Sequence, residues 1–178
     1  MPHKDVFRVA DLPQNSPTQF HLRPAAPELS RIAADLDLLG LRKLVFSGDI
    51  ATQGRKDWAL TGKLGATVVQ PCIVTLEPVT TRIDIPVKRL FLADWQEPEA
   101  SEVEMPEDDE TEALPPELDL SQIMTESLAL ALPLYPRSAG ADSGEMVFTE
   151  PGKTPMRDED AKPFAGLADL RDALKKEP

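Results

Sequence analysis

The chain has one cysteine, two histidines and one tyrosine, and aromatic residues make up only 5% of it. A single cysteine excludes an internal disulfide, and with it the staple of small secreted domains. Two histidines and one cysteine cannot complete a four-ligand zinc site without carboxylates. The first twenty residues lack the apolar run of a signal peptide, and nothing elsewhere approaches the roughly eighteen apolar residues of a membrane helix. A metal-free cytoplasmic protein is expected. There is no phosphate-cradling loop either, since Gly62-Lys-Leu-Gly65 lacks the spacing of a P-loop or a dinucleotide-binding turn.

Residues 94–119 lack something else: they hold twelve acids and no Lys or Arg. The protein's net charge is -12, so outside this stretch nineteen acids balance nineteen bases. The acidity is local. A run of this kind repels itself, and residues 94–118 are expected to be a mobile loop. It has neither the glycine nor the regular spacing of an EF-hand, and unfixed carboxylates cannot do acid–base chemistry. It also argues against a large RNA-gripping surface, which needs Lys and Arg to displace phosphate counterions.

What is present reads as a modest core with long irregular stretches, because 178 residues include 41% hydrophobics and eighteen prolines. Two short strand-like pieces, at 7–9 and 19–22, belong to an N-terminal extended segment, 1–26. From 27 to 39, Leu29, Ile32, Ala33, Leu36 and Leu39 recur at helical spacing, with Gly40 placed to cap the end. The period then drops to two. Leu44, Phe46, Gly48 and Ile50 share one face; Trp58, Leu60, Leu64, Ala66 and Val68 share another; Val79, Ile83, Ile85, Val87 and Phe91 a third. Pro86 cannot donate to a ladder, so its strand lies at an edge or bulges there. The expected fold is α+β: an antiparallel meander over about 42–93, packed by helices near 28–39 and 119–132 within a core of 27–133. Asp119-Leu-Ser-Gln122 reads as a capping box for the second helix. Residues 134–162 read as linker, and 163–178 as a C-terminal helix with Phe164, Leu167, Leu170 and Leu174 on one side.

Cys72 and His21 formally offer a nucleophilic pair, but Cys72 stands among Val68, Val69, Ile73 and Val74, where a small buried hydrophobe belongs. No catalytic, cofactor-binding or metal-binding residue emerges. Arg55, Lys56, Lys63, Arg82, Lys88 and Arg89 all fall in the sheet region and are the candidate contacts to RNA or another partner. On pattern alone, an ordinary solvated strand face is the simpler reading of them.

The segment Gln70-Pro-Cys-Ile-Val-Thr-Leu-Glu-Pro-Val79 resembles the central motif of the YceD family of large ribosomal RNA subunit accumulation proteins. Cys72 matches the first cysteine of the family's Cys-x-x-Cys stretch, Leu76, Glu77 and Pro78 match its tail, and Thr75 replaces the second cysteine. Glu126-Ser-Leu-Ala-Leu-Ala-Leu-Pro133, with Leu132 and Pro133 closing it, is similar to the family's Leu-x-Leu-Pro helix end. Pro163 and Phe164 begin a piece similar to its Pro-Phe-Ala-x-Leu helix. The resemblance runs from about 40 to 175. It implies a non-enzymatic role in the synthesis, processing or accumulation of large-subunit ribosomal RNA, with that RNA or a basic large-subunit ribosomal protein as partner. Thr75 removes the cysteine pair, which argues against the metal or redox role suggested for cysteine-rich members. An adaptor unrelated to ribosomes and a hydrolase centred on Cys72 remain as the other readings.

Overall fold

The structure, a computed structural model, describes residues 5–95 and 111–141. Its elements in chain order are β1 (Val6–Arg8), β2 (Thr18–Leu22), α1 (Ala26–Asp35), β3 (Gly40–Gln53), β4 (Asp57–Pro71), β5 (Pro78–Leu92), β6 (Thr111–Ala113), β7 (Glu117–Asp119) and α2 (Leu120–Ala131). Five strands form one sheet in the order β2-β3-β4-β5-β6; β1 and β7 form a separate antiparallel ribbon. The main sheet is antiparallel except at β6, which runs parallel to β5. This is the expected α+β architecture with one parallel strand added.

The period-two pattern works as read. Leu44, Phe46 and Ile50 of β3, Trp58, Leu60, Leu64, Ala66 and Val68 of β4, and Ile83, Val87 and Phe91 of β5 are buried on one face. Ile32 and Ala33 of α1, and Leu120, Ile123, Met124 and Leu128 of α2, join them in one cluster. Removing such side chains from water stabilises the fold by about 1.5–3 kcal/mol each before chain entropy is counted. The opposite face is open, with Thr61, Lys63, Arg82, Asp84 and Lys88 exposed. A sheet covered on one side alone is the usual origin of such alternation.

Three boundaries differ from the sequence reading. The segment before residue 26 is integral to the fold: β2 pairs along β3, and Leu12, Phe20 and Leu22 lie in the core. Helix α1 stops at Asp35, short of Gly40. Asp37 takes the left-handed conformation (φ 52°), and the amides of Leu38 and Asp37 bond to the carbonyls of Ala33 and Ala34. That is a Schellman closure with aspartate where glycine is usual, and it turns Leu38 into the core. Gly40 opens β3 instead. Lastly, the acidic stretch is not one loop, because its end holds β6 and β7 and buries Leu118.

Helix α2 begins as its sequence dictates. The Asp119 carboxylate accepts from the amides of Ser121 (2.9 Å) and Gln122 (3.2 Å). The reciprocal half of the capping box is not made, since the Gln122 side chain donates forward through Nε2 to Glu126 at 2.9 Å.

Candidate functional site

The motif between β4 and β5 is a hydrogen-bonded knot. The Cys72 amide donates to the Glu77 carbonyl (2.8 Å), and the Leu76 amide donates to the Cys72 carbonyl (2.9 Å). The turn closes through Leu76 in a left-handed conformation (φ 61°), which a bulky side chain rarely adopts. Inside it the Cys72 sulfur accepts from the amides of Val74, Thr75 and Ser138, each at 3.4 Å, and from the Ser138 hydroxyl at 3.6 Å. The Thr75 and Ser138 hydroxyls lie 3.2 Å apart, and Thr75 also donates to Glu77.

The segment after α2 is thereby fastened to the turn. The Ile73 amide donates to the Pro136 carbonyl (3.0 Å) and the Gln70 side chain to the Pro133 carbonyl (3.2 Å). Between the two fixed prolines, Leu134 and Tyr135 project outward, 84% and 75% exposed, near a turn that also exposes Ile73 and Leu76. Of the motif residues singled out in the sequence, Gln70, Cys72, Thr75, Leu76, Glu77, Pro78 and Pro133 meet here. Leu132 packs partly buried against the core. Pro163 and Phe164, with the rest of the C-terminal helix, lie outside the described residues.

Cys72 is completely buried, so it presents no nucleophile to solvent. Nor does the fold pair it with His21. That histidine is exposed on β2, opposite Ser47, which itself faces Lys63. From Lys63 to Cys72 is about 30 Å of extended strand. The donors around the sulfur favour the thiolate. Led by the Thr75 hydroxyl, and with the Ser138, Thr75 and Val74 amides, they lower the Cys72 pKa to about 6 against the opposing cost of burial. The folded value lies below the unfolded one, so the stabilisation is complete above about 9 and is lost as pH falls through about 6. We expect the thiolate absorbance of this single cysteine to titrate near 6 in the folded protein, and the stability gap between wild type and Cys72→Ala to widen from pH 6 to 9. A midpoint at the ordinary thiol value would show that the sulfur is held as the neutral group.

The six candidate basic contacts do not form one patch. Lys63, Arg82 and Lys88 share the open face, where Arg42, Thr67 and Arg82 also lie level. Arg82 donates to both Asp84 oxygens, from Nε at 2.7 Å and from Nη2, which holds the Asp84 carboxyl below the usual carboxylate range. The pair lies across Gly65, where a Cβ would strike the Arg82 guanidinium and the Asp84 carboxylate. Arg55 and Lys56 sit at the β3–β4 turn, with Lys56 paired to Asp94 at 3.1 Å. Arg89 points to the helix side, 3.9 Å from Glu126 of α2. Nearby Glu112 has its pKa raised, chiefly by burial, with Glu126 adding to the shift and Arg89 opposing it.

Sequence reasoning missed Ser138 and the Leu134–Tyr135 display. The prolines bracketing Leu134 and Tyr135 were the available signal, whereas nothing local marks a serine that completes a knot 66 residues away.

The knot joins the turn between β4 and β5 to the segment that follows α2. The model of the family described as large ribosomal RNA subunit accumulation protein YceD matches residues 60–171, and the chain belongs to that family. The match spans the knot, the acidic stretch and α2. No curated protein and no solved structure matches the chain. Among the described residues there is no group of metal-ligating side chains, and no helix is long and apolar enough to cross a membrane.

Proposed function

We propose that this chain is a non-enzymatic cytoplasmic factor supporting the synthesis, processing or accumulation of large-subunit ribosomal RNA, acting through a basic large-subunit ribosomal protein. Membership of the YceD family carries the ribosomal part. The distribution of charge favours a protein over RNA as the direct partner. Twelve carboxylates without a base are concentrated in residues 94–119. The candidate bases are divided among three surfaces, and Lys56, Arg82 and Arg89 each have a carboxylate beside them. A concentrated negative field draws in a basic protein and shields it from premature RNA contact. Dispersed, partly neutralised bases offer phosphate little counterion release.

The test is affinity capture of the tagged full-length protein at low salt, with bound RNA sequenced and bound proteins identified by mass. Sedimentation with large-subunit precursors and capture of a basic ribosomal protein that survives ribonuclease are expected. Capture abolished by ribonuclease would make RNA the direct partner. A set of captured proteins with no ribosomal member would favour an adaptor of another pathway.

A further inference from the structure

Strand β6 is the shortest of the main sheet, three residues against five to fifteen in the other four strands. It pairs with β5 through Leu90 and Thr111, Phe91 and Glu112, Leu92 and Ala113, and the Leu114 amide extends the ladder to the Leu92 carbonyl at 2.9 Å. Residues level with each other across a ladder share a face. Phe91 is buried on the core side, so Glu112 beside it faces the side on which α2 lies, with its rim still open to solvent. A short strand that turns a carboxylate toward the core is held against a cost, because the charge loses part of its water.

The neighbours offset that cost only in part. Among the described residues the charged groups acting on Glu112 are Arg89 of β5 and Glu126 of α2, while β4 sets Leu60 and Trp58 opposite Arg89 and Phe91. Arg89 stands 3.9 Å from Glu126, which also accepts from the Gln122 side chain at 2.9 Å. One guanidinium therefore serves two carboxylates, and the cluster keeps an excess negative charge. The raised pKa of Glu112, led by burial, agrees with that imbalance.

We propose that Glu112 makes the docking of β6 a charge-sensitive latch: its ionised carboxylate keeps the strand weakly held, and neutralising it fastens β6 to the sheet. The docked strand favours the protonated acid, whereas an undocked Glu112 has the ordinary value of 4.5. Docking is therefore firmest below 4.5 and weakens as pH rises from there through the raised value. Glu112 is one of the twelve acids of residues 94–119, so the anchor of that stretch is weakest when the stretch is fully charged. Under the reading proposed above, a cationic group of the bound partner acts on Glu112 as a proton does and fastens β6 on binding; the latch itself does not depend on that reading.

The test is amide hydrogen exchange on the full-length protein, with protection at Leu114 reporting β6 and protection at Leu64, in the middle of β4, reporting the whole fold. From about pH 4.5 to neutral, protection at Leu114 relative to Leu64 is expected to fall severalfold in wild type, the size of a partly exposed charge interaction. It should stay level in Glu112→Gln, which at neutral pH should protect Leu114 better than wild type does. Arg89→Gln should steepen the wild-type fall, since it removes the one base that offsets the carboxylate. An equal fall in Glu112→Gln, or no gain in that variant at neutral pH, would overturn the latch. So would Leu114 and Leu64 changing in step, because β6 would then open only with the whole fold. Capture of a ribosomal protein is a separate measurement, so the latch can fail while the partner reading stands.

Discussion

Replacing Gly48 by alanine is expected to lower the melting temperature by roughly 10 °C, the largest single-methyl effect in this fold. Gly48 lies opposite Gly62 on β4 and opposite Phe20 on β2. A Cβ there would run into the carbonyl oxygen of Thr61 and the Cα of Gly62, and backbone cannot swing aside as a side chain does. Over the neighbouring glycine, Phe20 and Phe46 pack with ring centroids 4.8 Å apart, and a Cβ on Gly62 would meet both rings at 3.0–3.3 Å. Gly62 thus leaves the space the two rings occupy, and Gly48 lets the β4 backbone pass at close range. Forcing a methyl between paired strands belongs at the upper end of overpacking costs, about 3 kcal/mol. Gly54→Ala is the control: nothing surrounds that Cβ, and only its φ of 70° is strained, so about 1–2 kcal/mol is expected. Thermal unfolding followed by circular dichroism separates them. If Gly48→Ala melts with wild type or above Gly54→Ala, strand packing at this point is looser than the register implies.

The strands were legible because a sheet covered on one face writes its burial into every second residue. That logic extends to Arg89, which shares parity with Ile83, Val87 and Phe91 and so belongs on the helix side, although its charge grouped it with Lys88. Gly48 and Gly62 fit the alternation, but their purpose needs the knowledge that Phe20 and Phe46 cross above Gly62 and that the β4 backbone lies against Gly48. β6 and β7 were hidden because three residues carry no period, and their acidic surroundings signal solvation; only Leu114 and Leu118 hint otherwise. The knot was half legible. Gln70, Cys72, Thr75 and Glu77 adjoin in sequence and make up one turn, whereas Ser138 reaches Cys72 only because α2 runs back across the sheet and returns the chain to that end.

Neutralising the eight acids between residues 97 and 110, as Asn and Gln, is expected to leave the melting temperature unchanged at low salt and to weaken binding of a basic large-subunit ribosomal protein by tenfold or more. Eight carboxylates within fourteen residues repel one another, and a basic partner relieves that repulsion. Binding by wild type should fall as salt rises, because exposed charges are screened beyond about 8 Å at physiological ionic strength, and the neutralised variant should show a flatter salt dependence. Deleting 97–116 is a different experiment. It removes β6, the partly buried Leu114, and the Pro116 carbonyl that accepts from the Val9 amide at 3.1 Å. It also takes away the long connection that a parallel β5–β6 pair requires. That variant is expected to melt well below wild type, so its loss of binding would say nothing about charge. Titration of both variants against the ribosomal protein and against large-subunit ribosomal RNA, alongside thermal melts, reads all of these outcomes. If the neutralised protein binds the RNA more tightly and wild type ignores the ribosomal protein, the acidic stretch acts instead as an electrostatic brake on direct RNA contact.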